Sequence, residues 1–327
     1  MVDVASLAGV SIKTVSRVVN GVTTVDAEIA TRVRAAIAHL GFQPNQLAAA
    51  LKSGAPTATI GLVIKDVSND IYATLMLGAI DVARHHGTQI ITSVIGESQS
   101  DIEELDAIYD LCRRRVDGLI VVPGSGDLSG LRSQIDLGTP MVFMDRRPHG
   151  LNADSITVDN RGGSREAMRD LIMRGHRRFG VVVDSLSIDT MSERLAGIRD
   201  SLRESGILVS QSQIVTGVRA PTDAAGVVTR MLNMTAPPTA IFCGNSRSTI
   251  GAIEAIRAQT TPVAIAGFDA FPLAHLMPVP LTLVSYDANF MGQRAAELLF
   301  RRIGSDSREP EHVVLATKLL HLGGSLA

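Results

Sequence analysis

The sequence predicts an all-α head followed by an α/β body of two doubly wound, parallel-sheet lobes. Three observations carry this reading. Residues 1–54 set apolar side chains at helical spacing between capping residues and short turns. From Thr59 the texture changes to β-branched runs alternating with amphipathic segments, which means parallel sheets covered on both faces by helical crossovers. A chain of 327 residues, at ~150 residues per domain, has room for two such lobes beside the head.

The head is justified helix by helix. Val2 to Ala8 reads as a short helix ending at Gly9, which supplies a left-handed turn. Ser11 caps a second helix, Ile12 to Val19, its hydroxyl accepting a free amide of the first turn. The spacing Ala5, Gly9, Val15 puts a small residue at a helix crossing, a glycine at the corner and a β-branched anchor facing back. That is the helix-turn-helix pattern. Asp26 caps a third helix, whose Ile29, Val33, Ile37 and Leu40 recur at helical spacing and close a small core before Gly41. After Pro44 comes NQLAAALKSGAPT, where Ala48 to Leu51 favour helix but are too few to hold one alone in water. Gly and Pro between Ser53 and Thr57 read as a linker.

In the body the expected strands are Ile60–Ile64, Gln89–Ile95, Gly118–Val122, Met141–Met144, Phe179–Val183, Ile214–Thr216, Ala240–Cys243, Val263–Ala266 and Leu281–Ser285. Ligands of open sheets lie beyond the carboxyl ends of the strands. Those ends carry Asp66 and Asn69, Asp145 and Arg146, Asn245, and Asp269.

Composition removes several function classes. With 45% hydrophobic residues, 20% charged and a net charge of −2, the chain is not intrinsically disordered. Its longest apolar runs, such as residues 119–122, are strand-sized, whereas a membrane span needs ~20 residues. MVDVASLAGV has an acidic residue where a secretory signal wants Lys or Arg, so the expected location is the cytoplasm. Cys112 and Cys243 lie far apart, without a CxxC or a nearby His pair, and read as core thiols. No metal and no cofactor are expected. Residues 1–54 carry a net charge of +2 and the remainder −4, which points weakly to nucleic acid at the head.

The residues resemble a known family. DVASLAGVSIKTVSRVVN followed by FQPNQLAAALKSG is similar to the lactose-repressor (LacI/GalR) family of bacterial transcription regulators. The resemblance continues through VDGLIVVP at 116–123, VDN at 158–160, GHRRFGVVV at 175–183, PPTAIFCGN at 237–245, AGFD at 266–269 and PLTLVSYDANFMGQRAAELL at 280–299. It covers nearly the whole chain.

The resemblance implies a helix-turn-helix domain at 1–44, a hinge helix and linker at 45–57, and a two-lobed body of the periplasmic-binding-protein type at 58–327. The first lobe would take about 58–158 with a return segment near 287–312; the second would take about 159–285 with the C-terminal strand. It implies that the second helix enters the major groove of operator DNA, with Ile12, Lys13 and Arg17 at base edges. Ser11, Thr14, Ser16 and Asn20 would lie at or near the phosphates. Arg and Lys donate to guanine, and an isoleucine packs on a thymine methyl. Asn45, Ala48 and Leu51 belong to the implied hinge helix, with Leu51 as the wedge in the minor groove. The implied effector residues are Asp66, Asn69, Tyr72, Asp145, Arg194, Asn245 and Asp269, a set that suits a polyhydroxyl ligand because each hydroxyl both donates and accepts.

Three departures mark the pocket as reshaped. The family's Asn-Pro-Phe-like segment reads Asn69-Asp70-Ile71-Tyr72, its Asn-Asp pair reads Asn245-Ser246, and Ala288 stands where the lactose repressor has an aromatic. The expected function is an effector-controlled repressor that binds a pseudo-palindromic operator as a homodimer, with a sugar or sugar derivative as effector. A purine or nucleoside corepressor is the alternative. The dimer expectation comes from an end at Leu326-Ala327 with no heptad tail. An enzyme on a nucleotide-binding fold is the remote rival. Its glycines, Gly124, Gly126 and Gly130, miss the dinucleotide spacing because Ser129 stands where the third should be, and no phosphate-loop or nucleophile-elbow motif is present. A transport protein of the same body fold would need an export signal and no helix-turn-helix.

Overall fold

The structure is a computed structural model that describes residues 1–43, 56–67, 69–96, 101–257, 262–277, 279–304 and 307–323. The chain divides into two compact units, Met1–Thr57 and Ala58–Ala327.

In the first unit, helices α1 (Val2–Ala8), α2 (Ile12–Val19) and α3 (Ala27–Leu40) enclose a small core. Val15 and Val33 are fully buried there, beside Val4, Ala5, Ala8 and Ala36. Gly9 ends α1 at φ 64°, a left-handed angle that glycine adopts without a Cβ penalty. The Ser11 hydroxyl accepts from the Thr14 amide at 3.1 Å, and the Asp26 carboxylate accepts from Glu28 and Ile29 at 2.9 and 3.2 Å. Leu40 departs from the expected core: it is exposed, and Ala30 and Ala36 fill the inner face of α3. Small residues there let the three short helices approach closely.

The second unit holds two six-stranded sheets. The first contains β1 (Thr59–Ile64), β2 (Gln89–Val94), β3 (Leu119–Val121), β4 (Met141–Met144), β5 (Asp154–Val158) and β11 (His312–Leu315), in the order β11-β5-β4-β3-β1-β2 and parallel throughout. The second contains β6 (Phe179–Val182), β7 (Ile214–Val215), β8 (Ala240–Cys243), β9 (Ala264–Phe268), β10 (Leu281–Ser285) and β12 (Lys318–Leu322), in the order β12-β10-β9-β8-β6-β7. Two expectations are corrected. The second sheet is not purely parallel, because β12 runs antiparallel to β10 at its edge. The strand list also lacked β5 and β11, whose short, polar-led stretches DSITV and HVVL are weak strand signals by themselves.

Helices cover both faces of each sheet. Asp70–His85 and Ala288–Ile303 seal one face of the first sheet through Leu75, Ala79, Met291 and Ala295, while Asp101–Arg113 covers the other through Ile108 and Leu111. In the second sheet, Asn160–Met173 and Asp189–Glu204 oppose Pro221–Leu232 and Ser246–Ile256. The chain passes between the lobes after β5, after β10 and between β11 and β12. Three crossings tie the lobes together while leaving the carboxyl ends of the strands facing an interlobe cleft.

Candidate functional sites

The helix α2 separates its side chains sharply. Val15 is buried; Ser11, Ile12, Lys13, Arg17 and Asn20 are exposed; Thr14 and Ser16 are half-buried. Ile12 leaves 50% of its surface in water. The Asn20 amide donates to the Ser16 hydroxyl at 3.5 Å. The expected DNA-facing residues of α2 therefore share one accessible side, opposite the anchor. Asn45, Ala48 and Leu51 lie outside the described residues.

In the cleft, the two lobes repeat one arrangement. The matching strand orders equate β1 with β6 and β4 with β9. Asp145 follows β4 and Asp269 follows β9, each with a left-handed backbone, φ 71° and 69°. Each amide donates to the neighbouring strand, Asp145 to the Ile156 carbonyl and Asp269 to Val284, both in the 2.9–3.0 Å range. Asp66 and Asp184 likewise stand two residues beyond β1 and β6. Non-glycine residues held in this region of the backbone map are sparse, and Asp is among those that tolerate it.

Arg194 organises the second lobe. Only 2% exposed, it donates from Nε to the Asn160 side-chain oxygen at 2.8 Å and from Nη1 to the Gly244 carbonyl at 2.7 Å and to Asp269 at 3.1 Å. Its guanidinium carbon sits 3.6 Å above the centre of the Phe268 ring. Burial pushes the Asp269 carboxyl up, and Arg194 opposes that shift. On the first lobe, Arg146 pairs with Asp145 at 3.2 Å and donates to the Pro123 carbonyl and the Tyr72 hydroxyl, each at 3.2 Å. The Tyr286 hydroxyl, at the crossing after β10, is pushed well up by burial and by the charges of Asp269 and Asp145.

Several expected effector residues also have structural work. Asn69 caps Asp70–His85 by accepting from the Ile71 amide at 3.2 Å. Asn245 caps Ser246–Ile256 in a reciprocal capping box with Ser248. Asp66 pairs with Arg247 of the other lobe at 2.8 Å, and a second bridge joins His149 to Asp189 at 3.0 Å. A cavity of about 350 Å³ opens beside the cleft, lined by Asp145, Arg146, Asn160 and Thr190 among others. Sequence reasoning missed Arg247, Asn160, Tyr286 and Asp184 as cleft residues. Asp184 had a usable signal, its place in the second lobe matching that of Asp66 in the first.

Residues 57–321 match the family described as periplasmic binding proteins and sugar binding domain of LacI family, and residues 1–45 match bacterial regulatory proteins, lacI family. The chain belongs to the LacI family. This LacI-family chain is 30% identical over 321 residues to the ribose operon repressor of Haemophilus influenzae, covering 96% of this chain and 95% of that one. It is 28% identical to the transcriptional repressor PurR of Histophilus somni, covering 97% and 96%. Among solved structures, the Lac repressor bound to ONPG superposes with a TM-score of 0.83 at 24% identity over 97% of each chain, which is a likeness of fold. Proteins of the family are DNA-binding transcriptional regulators with an effector-binding body. Among the described residues, no helix of this LacI-family regulator is long and apolar enough to cross a membrane.

Proposed function

We propose that this chain is a cytoplasmic repressor without a catalytic step, binding a pseudo-palindromic operator as a homodimer under the control of a sugar or sugar derivative held between its lobes. One observation carries the reading. An exposed recognition face of Ile12, Lys13 and Arg17 is joined in one chain to a cleft of buried guanidinium, carboxylate and tyrosine groups. Arg17 and Lys13 donate to guanine in the major groove, Ile12 packs on a thymine methyl, and Ser11, Thr14, Ser16 and Asn20 set the register on phosphates. Asn45, Ala48 and Leu51 act in the hinge, where Leu51 unstacks the central base step.

In the cleft, Asp66, Asn69, Tyr72, Asp145, Arg194, Asn245 and Asp269 surround the effector. The guanidinium groups donate to ligand hydroxyls, the carboxylates accept from them, and the tyrosine offers an apolar face. A purine corepressor is the second reading, favoured by the 28% identity with PurR and by Ala288, which stands where the lactose repressor has an aromatic.

The test has two stages. Selection of duplexes from a random pool by the purified full chain, followed by gel shift, should yield one operator with two half-sites whose affinity falls with salt. Enrichment of no sequence sinks the regulator reading. Melting curves against pentoses, hexoses, polyols and purines then name the effector, since ligand at ~100 times its Kd adds ~2.7 kcal/mol of stability. A purine hit without a sugar hit selects the second reading.

A further inference from the structure

Each lobe offers the cleft two aspartates at equivalent places, and each of the four is matched by an arginine. Asp66 pairs with Arg247 at 2.8 Å, Asp184 with Arg219 at 3.6 Å, Asp145 with Arg146 at 3.2 Å, and Asp269 with Arg194 at 3.1 Å. The lysine at the same level, Lys65, is buried against Glu104 at 2.6 Å, and Glu104 also accepts from the Gly124 amide. The adjoining cavity is lined by four acidic side chains and three arginines, a surplus of negative charge. Among the described residues, the arginines of these four pairs are therefore compensated before any ligand arrives, and Arg147, which also lines the cavity, acts on Glu193.

This balance decides what the cleft holds. A phosphate or carboxylate entering it loses its hydration and meets no surplus cation, and an uncompensated buried charge is expensive. A hydroxyl group loses far less hydration and gains hydrogen bonds to groups that are already charged: it accepts from a guanidinium and donates to a carboxylate. We propose that the effector is an uncharged polyhydroxyl compound, that its phosphate ester is excluded, and that Asp66 enforces the exclusion by holding Arg247. The inference rests on the effector-cleft reading above. Asp66 is the critical partner because, of the four pairs, its pair with Arg247 is the one that bridges the lobes, and both of its side chains are partly open to an incoming ligand, 21% and 30% exposed.

Matched titrations of the full chain by calorimetry test this. The probes are ribose and ribose 5-phosphate, galactose and galactose 1-phosphate, glucose and glucose 6-phosphate, fructose and fructose 1-phosphate, with sorbitol and xylitol added. At least one uncharged probe should bind, and each that binds should do so about tenfold or more tightly than its ester. An ester that binds better than its sugar overturns the proposal, and so does silence from every uncharged probe. Asp66→Asn then frees Arg247 from its carboxylate and should move the sugar-to-ester affinity ratio about tenfold towards the ester. An unchanged ratio removes Asp66 from the mechanism. A general loss of folding lowers both affinities and leaves the ratio alone, so the two effects separate. The operator selection keeps the readings apart: a chain that selects an operator but answers to an ester loses only the charge rule.

Discussion

At Arg194 a single side chain satisfies three elements at once: the Asn160 amide oxygen, the Gly244 carbonyl and the Asp269 carboxylate. Removing it strands a buried carboxylate. Arg194→Ala should lower the unfolding free energy by about 3–5 kcal/mol, read from urea melts. Arg194→Lys keeps the charge but loses the planar fork, and should recover only part of that loss. A loss under about 1 kcal/mol for Arg194→Ala would show that the network contributes little. Its place in SERLAG was legible in the sequence; its partners were not, because Asn160 and Asp269 lie 34 and 75 residues away. His176 makes a pH prediction. Burial, and then Arg174, depress its pKa below the usual 6.5, while its Nδ1 lies 3.0 Å from the Thr239 hydroxyl. The folded chain thus binds fewer protons at this site than the unfolded chain. Stability from His176 is complete above about pH 6.5 and is lost as pH falls through the depressed value. His176→Asn should flatten the decline in Tm between about pH 6.5 and 5, and an unaltered slope would exclude this histidine as its source.

Helix α2 depends on its cap and its anchor. Ser11→Ala removes the acceptor for the Thr14 amide and should cost about 1 kcal/mol of head stability, visible in the lower-melting transition of a full-chain thermogram. Helix Asp70–His85 crosses Ala288–Ile303 at two glycines. A Cβ on Gly78 would stand 2.0 Å from the Asn289 carbonyl oxygen, and one on Gly292 would stand 1.9 Å from that of Leu75. Gly78→Ala must push the helices apart and should cost about 1–3 kcal/mol in a denaturant melt; no change would mean that the crossing yields freely. Capping residues were readable because Ser11 and Asp26 accept from amides, and Gly9 donates to a carbonyl, within three positions of themselves. The crossing glycines were not readable as contacts, since nothing local pairs position 78 with 289. For β5 the reason is similar: Asp154 is an unusual strand residue until Arg302, 148 residues along the chain, donates to it at 2.7 Å.

Across the whole molecule, effector and operator are linked quantities. An effector that changes operator affinity by some factor must have its own affinity changed by the same factor when the operator is bound, typically 5–150-fold, or ~1–3 kcal/mol. Calorimetry of the effector with and without operator should give that factor, and a factor of one would mean that the effector does not control operator binding. Within that body, the Asp66 to Arg247 and His149 to Asp189 bridges both span the lobes, so ligand entry and lobe arrangement involve the same contacts. What the sequence determined alone is the order of parts: three capped helices, a linker, and strands alternating with helices, each decided by periodicity and by residues acting over a few positions. What only the tertiary structure decided is pairing at long range. The antiparallel pairing of β12 with β10, the bridge from Asp66 to Arg247 181 residues away, and the pair of Arg194 with Asp269 75 residues away depend on chain returns that no local propensity reaches.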